Sequence, residues 1–266
     1  MILELGLVTI IGLTFGSFLG VVTKRLPRKE SFVLGRSHCP KCGYQIAARD
    51  NIPLLSFVLL KGRCRNCRKR ISLRYPLLEA ATAIVFVAAY LVLVSCGPQG
   101  LSVACSFGDS LGVWVYPYLG VILLLTIAIF VIDLEKRIIP DELVFWGLAI
   151  TCLAFIFGRE LPFYGNLSAG FASGLFLLAV HLLTGGRGMG LGDVKYALFA
   201  GAFLGLSQAL VWLFLAFLTG AAVGAILILL GKTRLKSKIA FGPFLALSFV
   251  LTAFYGDQIL AWFMTI

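Results

Sequence analysis

The sequence predicts an all-α polytopic membrane protein of about eight transmembrane helices, with a small cytoplasmic zinc-ribbon-like insertion between the first two. Three observations predict it. Of 266 residues, 60% are hydrophobic and 13% charged, where soluble chains carry about 25% charged residues; the mean hydropathy is +0.99. Apolar runs of bilayer length, about 20 residues, recur along the whole chain. Finally, two Cys-x-x-Cys pairs interrupt this pattern, set among basic residues between Lys24 and Arg74.

Taken in order, the spans fall near 5–23, 77–95, 113–133, 143–158, 165–183, 194–206, 208–230 and 240–262. The first is too long for a signal peptide, lacks a basic leading region and has no small-residue cleavage site before Lys24, so it reads as a retained span. The fourth and sixth are short, and the sixth is either a half-span or one arm of a hairpin with the seventh. Basic residues set the orientation. If 24–76 is cytoplasmic, the N-terminus is periplasmic. Lys136 and Arg137, then Arg187, then Lys232, Arg234, Lys236 and Lys238 all fall on the cytoplasmic side, whereas the opposite loops hold only Arg159. The net charge of +11 is thus concentrated in one loop and explained by orientation and by anionic membrane lipid rather than by nucleic acid. On the outer side, Cys96 and Cys105 are either a disulfide, as an oxidising periplasm permits, or two free thiols. Cys152, inside an apolar run, reads as packing.

The insertion carries Cys39-Pro40-Lys41-Cys42-Gly43 and Cys64-Arg65-Asn66-Cys67-Arg68. Each knuckle can present two thiolates to one tetrahedral Zn²⁺, and two knuckles close a structural site with no open position for chemistry. A reducing cytoplasm disfavours disulfides there. His38 adjoins the first knuckle, but four cysteines suffice. Between the knuckles, Asn51-Ile52-Pro53-Leu54-Leu55-Ser56 is apolar enough to pack on the bilayer surface.

Two acids stand out. Asp133 directly follows the apolar run Leu119 to Ile132, and Asp193 lies in Gly190-Leu191-Gly192-Asp193-Val194-Lys195 between two apolar runs. A carboxylate near the bilayer core costs ~2.5–3.5 kcal/mol even on lenient scales, so each is a functional candidate. The topology places both at cytoplasmic helix ends. Two carboxylates sharing a proton form the machinery of aspartic proteolysis. Pro140 predicts a new helix there, with Asp141 and Glu142 in a first turn where the helix dipole favours acids; Asp141 is the alternative to Asp133. Gly185, Gly186, Gly188, Gly190 and Gly192 disfavour helix, and irregular backbone at membrane depth belongs beside a water-filled cavity. Lys195 either stabilises an ionised aspartate or anchors its helix at the headgroups.

Gly16-Ser17-Phe18-Leu19, Arg25-Leu26-Pro27, the cysteine pairs around Asn51-Ile52-Pro53, Arg74-Tyr75-Pro76-Leu77-Leu78-Glu79, Asp133 with Pro140-Asp141, and Gly190 to Lys195 occur in the order found in one family. The chain resembles the bacterial type IV prepilin peptidases, bifunctional leader peptidases and N-methyltransferases among the Gly-x-Gly-Asp intramembrane aspartyl proteases. The resemblance implies Asp133 and Asp193 as the catalytic dyad, supported by Gly190, Gly192, Lys195 and Asp141. It implies S-adenosylmethionine as methyl donor, prepilins and pseudopilins as substrates, and the bacterial inner membrane as location. The implied division is a first helix at 1–23, a basic zinc-binding, methyltransferase-associated segment at 24–76, and a transmembrane aspartyl peptidase domain at 77–266. No Gly-x-Gly-x-x-Gly turn in a β-α-β setting exists to hold the methyl donor; Glu79, near the start of the second span, is the candidate, or else it pairs with Arg74. Two alternatives remain: a peptidase without methyl transfer, against which the cysteine segment argues, and a transporter using the two aspartates as a proton relay, against which the absence of repeated halves argues.

Overall fold

A computed structural model describes residues 2–32, 37–96, 102–158, 161–186, 188–231 and 240–265. Arg159, Arg187, Lys232, Arg234, Lys236 and Lys238, which entered the orientation argument, lie outside the described residues. Among those described, the chain is helical, with no strand beyond two isolated bridges, and it divides into two compact units, Met1–Leu91 and Val92–Ile266.

The first unit contains α1 (Ile2–Arg25), the cysteine segment with a five-residue helix α2 (Leu55–Leu59), and α3 (Arg74–Ser95) as far as Leu91. The helix that follows the cysteine segment therefore groups with it. Gly12 and Gly16 set the approach of α1 to α3. A Cβ at Gly12 would lie 2.7 Å from the Ala83 Cα, and one at Gly16 2.7 Å from the Glu79 Cα. Small residues permit this backbone contact, which supplies the dispersion energy that lipid-embedded helices need in place of a hydrophobic drive.

The second unit runs through α4 (Val103–Leu111), α5 (Val115–Lys136), α6 (Asp141–Phe157), α7 (Phe163–Leu183), α8 (Leu191–Leu204), α9 (Leu206–Leu229) and α10 (Gly242–Met264). A Cys96–Cys105 disulfide tethers the start of α4, which settles the alternative that the sequence left open. Short α4 itself was not anticipated. Its Phe107 stacks on Phe203 of α8 at 4.9 Å between ring centroids. Every expected span coincides with a helix, and among the described residues six segments are long and apolar enough to cross a membrane, making this a multi-pass membrane protein. α6, with 17 residues, and α8, with 14, fall short of that length.

The brevity of α8 has a physical reason. It packs against α6, α7, α9 and α10 and is buried from Val194 to Leu204 except at Lys195 and Leu198. Protein, not lipid, surrounds it, so bilayer thickness does not dictate its length. Gly170 and Gly174 let α7 reach it: a Cβ at Gly170 would lie 2.6 Å from the Leu198 carbonyl oxygen. A single residue, Gly205 at φ 77°, joins α8 to α9, the hairpin reading of the sixth span.

Candidate active site

Asp133 lies in the last turn of α5, one turn before Arg137 ends the helix at φ 57°. Its carboxylate is 5% exposed, and Oδ2 accepts the N–H of Gly242, the first residue of α10, at 3.0 Å. Gly242 must be glycine for this contact, because a Cβ there would sit 2.6 Å from the same oxygen. Asp193, 7% exposed, is the third residue of α8; its Oδ2 accepts the Gly190 N–H at 3.0 Å. This is the reciprocal half of a capping box, and Gly190 has no side chain to return the bond. The helix ends that carry these two acids are neighbours, because Ile139, just past the end of α5, lies against the Gly192 position beside Asp193. Each thus gives one oxygen to a helix N-terminus, where backbone donors converge and negative charge is favoured. The Gly242 amide was invisible in the sequence, since nothing in a Phe-Gly-Pro turn announces a partner in α5.

The two glycines of the acidic turn differ. A Cβ at Gly192 would press on Ile139 at 3.1 Å, so Gly192 seats the α8 start against the chain that follows α5. Gly190 has ordinary φ, −84°, is exposed, and has only ordinary contact at its Cβ position. The protein's own packing does not demand a glycine there. Lys195 donates to both carboxylate oxygens of Asp141 at 2.8 Å, an exposed pair that joins α8 to the first turn of α6. Lys195 is therefore engaged by Asp141, a partner that the sequence reading did not give it.

In the first unit, the Sγ atoms of Cys39, Cys42, Cys64 and Cys67 all lie within 4.8 Å of one another. Four thiolates around Zn²⁺ at Zn–S ≈ 2.3 Å stand about 3.8 Å apart, so the cluster fits a tetrahedral metal with little closure. The two knuckles repeat one geometry. Cys39 N–H donates to Tyr44 O at 2.8 Å and Gly43 N–H to Cys39 O at 2.9 Å; Cys64 N–H donates to Lys69 O at 2.9 Å and Arg68 N–H to Cys64 O at 3.0 Å. Gly43 (φ 70°) and Arg68 (φ 58°) hold the same left-handed position. Backbone amides donate to these thiols, that of Tyr44 to Cys42 and those of Cys67 and Asn66 to Cys64, and such donors favour the thiolate that a metal requires. Asp50 accepts two hydrogen bonds from Arg65, at 2.8 and 2.6 Å, which tie the inter-knuckle chain to the second knuckle and hold the Asp50 carboxyl below its usual range.

Beside the cluster, the first unit forms an open cavity of about 670 Å³ whose lining includes Ser17, Lys24, His38, Leu54, Tyr75 and Glu79. Glu79 is 8% exposed, and its Oε2 accepts the Leu54 N–H at 2.8 Å. Leu54 has φ 56° and ψ −48°, a γ-turn conformation that is rare and strained and that a bulky residue keeps only when its surroundings enforce it, and such strain gathers at ligand clamps. The volume is that of a small-molecule pocket, ~300–1,000 Å³. Glu79 is the residue that the sequence offered as the candidate here, whereas Leu54 takes part through its backbone alone and carried no signal in the sequence.

Comparison with known proteins adds an independent line. Residues 10–93 match the Bacterial Peptidase A24 N-terminal domain, and residues 120–225 match the Type IV leader peptidase family. A prepilin leader peptidase/N-methyltransferase of Aeromonas salmonicida is 34% identical, the alignment covering 99% of this chain and 94% of the relative. Relatives of the same name from Pseudomonas putida (33% identical, 96% and 92% covered) and Bacillus subtilis strain 168 (31%, 98% and 98%) align over similar lengths. No solved structure matches the chain.

Proposed function

Because this chain belongs to the type IV prepilin leader peptidase/N-methyltransferase family, we propose that it cuts the basic leader from prepilins and pseudopilins and then methylates the new N-terminal amine. The observation that carries the peptidase reading is the buried pair itself. Asp133 and Asp193 come from separate helices whose ends are neighbours, both are buried, and among the described residues each spends only Oδ2 on a backbone amide. The remaining oxygens are available for a shared proton and a water. One ionised aspartate takes a proton from the attacking water, while its protonated partner polarises the scissile carbonyl. Gly190, exposed and unconstrained by packing, leaves room for an extended substrate backbone beside Asp193.

The first-unit cavity is the proposed methyltransferase site. S-adenosylmethionine, when bound, supplies an electrophilic methyl group on a cationic sulfur. Glu79 offers the buried negative charge that such a cation requires, and the Leu54 amide fixes the carboxylate in place. Cys39, Cys42, Cys64 and Cys67 would hold a structural Zn²⁺ that keeps the cavity wall folded. The proposed orientation places the N-terminus in the periplasm and both sites at the cytoplasmic face of the inner membrane. The disulfide on the opposite loop and the free thiols of the cluster fit those two redox environments.

Mass spectrometry of a prepilin incubated with the purified protein and S-adenosylmethionine tests both halves together. Cleavage, with the added mass of one methyl group replacing a hydrogen on the new N-terminus, is expected from the wild type, and no cleaved species from Asp133→Asn or Asp193→Asn. Either variant cutting at the wild-type rate would end the dyad assignment.

A further inference from the structure

The turn before Asp193 is closed by a histidine to which the proposed chemistry gives no task. The carbonyl of His181, in the last turn of α7, accepts the Gly186 N–H at 2.8 Å, and that of Leu182 accepts the Gly185 N–H at 3.1 Å. Gly185 (φ 58°) and Gly186 (φ 71°) are both left-handed. This Schellman closure folds the chain back over the helix end. A Cβ at Gly186 would lie 3.2 Å from the His181 ring, so the turn is wrapped closely around the imidazole.

One nitrogen of the half-buried ring is engaged within the protein. Nδ1 lies 2.7 Å from the carbonyl oxygen of Met189, and because a carbonyl only accepts, Nδ1 carries the proton of this bond. Met189 itself is buried, at 5% exposure. The Met189 carbonyl and the Gly190 N–H belong to one peptide group, and that N–H is the donor held by Asp193 Oδ2 at 3.0 Å. Imidazole, peptide plane and carboxylate therefore form one line. The peptide is rigid, so a donor fixed on its oxygen fixes the direction of its N–H. A hydrogen bond accepted at the oxygen also polarises the unit and strengthens the N–H as a donor. A histidine serving only as a headgroup anchor would leave its ring nitrogens to solvent.

We propose that His181 is a positioning residue for Asp193, acting through the Met189–Gly190 peptide to hold the carboxylate in its catalytic orientation. The inference rests on the reading of Asp193 as half of the catalytic dyad. Its test is the cleavage kinetics of the full-length protein carrying His181→Leu, His181→Gln or His181→Asn, with Asp193→Asn as reference. Asn places an amide N–H near the Nδ1 position, whereas Gln places it near Nε2. Leu and Gln should lower kcat roughly tenfold, the effect of one well-placed hydrogen bond, with KM and Tm unchanged; Asn should restore most of the rate. Equal rates for Asn and Leu, or a Tm that falls in step with kcat, would overturn the proposal. If Leu cleaves normally while Asp193→Asn is inactive, the dyad stands and His181 has no part in it. Normal cleavage by Asp193→Asn would remove the dyad and this inference with it.

Discussion

Asp133, Asp193 and Asp141 are three carboxylates near three helix ends, and burial and partners separate them. Asp141 is exposed and neutralised by Lys195, and an exposed pair of this kind contributes at most about 1 kcal/mol. Asp133 and Asp193 are buried, with backbone amides as their only hydrogen-bond donors among the described residues. Asp141→Asn should therefore keep cleavage within a few-fold of wild type in the prepilin assay, while Asp133→Asn loses it; the reverse pattern would exchange their roles. Activity that needs one carboxylate ionised and one protonated should also give a bell-shaped pH profile belonging to the pair. Both buried acids were legible in the sequence because an acid beside a long apolar run has no cheap explanation. Gly242, Leu54 and the Met189–Gly190 peptide were not legible, because each acts through main-chain atoms that every residue possesses.

Glycine spacing in α1 shows how an element can tune a site that it does not itself form. Gly12 and Gly16 face α3 across a backbone contact, and the atom nearest Gly16 belongs to Glu79. Gly16→Ala must push α3 away or distort it, an overpacking penalty of about 1–3 kcal/mol, and the Glu79 carboxylate moves with its backbone. Methyl transfer to pre-cut pilin should fall several-fold, whereas Gly6→Ala, which meets nothing within 4 Å, should leave it unchanged; equal activities would show that the contact does not matter. The cysteine segment makes a second case. Built from short turns, two isolated bridges and a five-residue helix, it should depend on metal: purified protein should carry about one Zn²⁺ by elemental analysis. Changing Cys39, Cys42, Cys64 and Cys67 to Ser should release the metal and open the segment to limited proteolysis. Metal-free protein with a resistant segment would count against the zinc site. The spacing of the cysteines made this element legible in advance, and the 3.6-residue helices followed from apolar run length. α4 did not, because its nine residues lie beside a longer apolar run that masks them, and the burial of α8 depends on neighbours far away in the chain.

Two units, two chemistries and one substrate pose a problem of division that the chain as a whole must solve. The four cysteines, the cavity and Glu79 belong to Met1–Leu91, whereas both aspartates belong to Val92–Ile266. A carboxylate dyad has no means of delivering a methyl group, and methyl transfer needs a pocket for a polar, cationic donor outside the bilayer core. If each unit carries its own reaction, each reaction should survive loss of the other. Asp193→Asn should methylate a pilin supplied already cut at close to the wild-type rate, because no residue of the cavity lining is altered. Glu79→Gln keeps the shape of the side chain and can still accept the Leu54 amide, but it removes the charge. It should cleave prepilin normally while methyl incorporation, read from labelled S-adenosylmethionine, falls at least tenfold, the effect of one charged contact worth about 1.4 kcal/mol or more. Loss of methylation of pre-cut pilin in Asp193→Asn, with the protein folded, would mean that the two reactions share a site, and the division by unit would have to be abandoned.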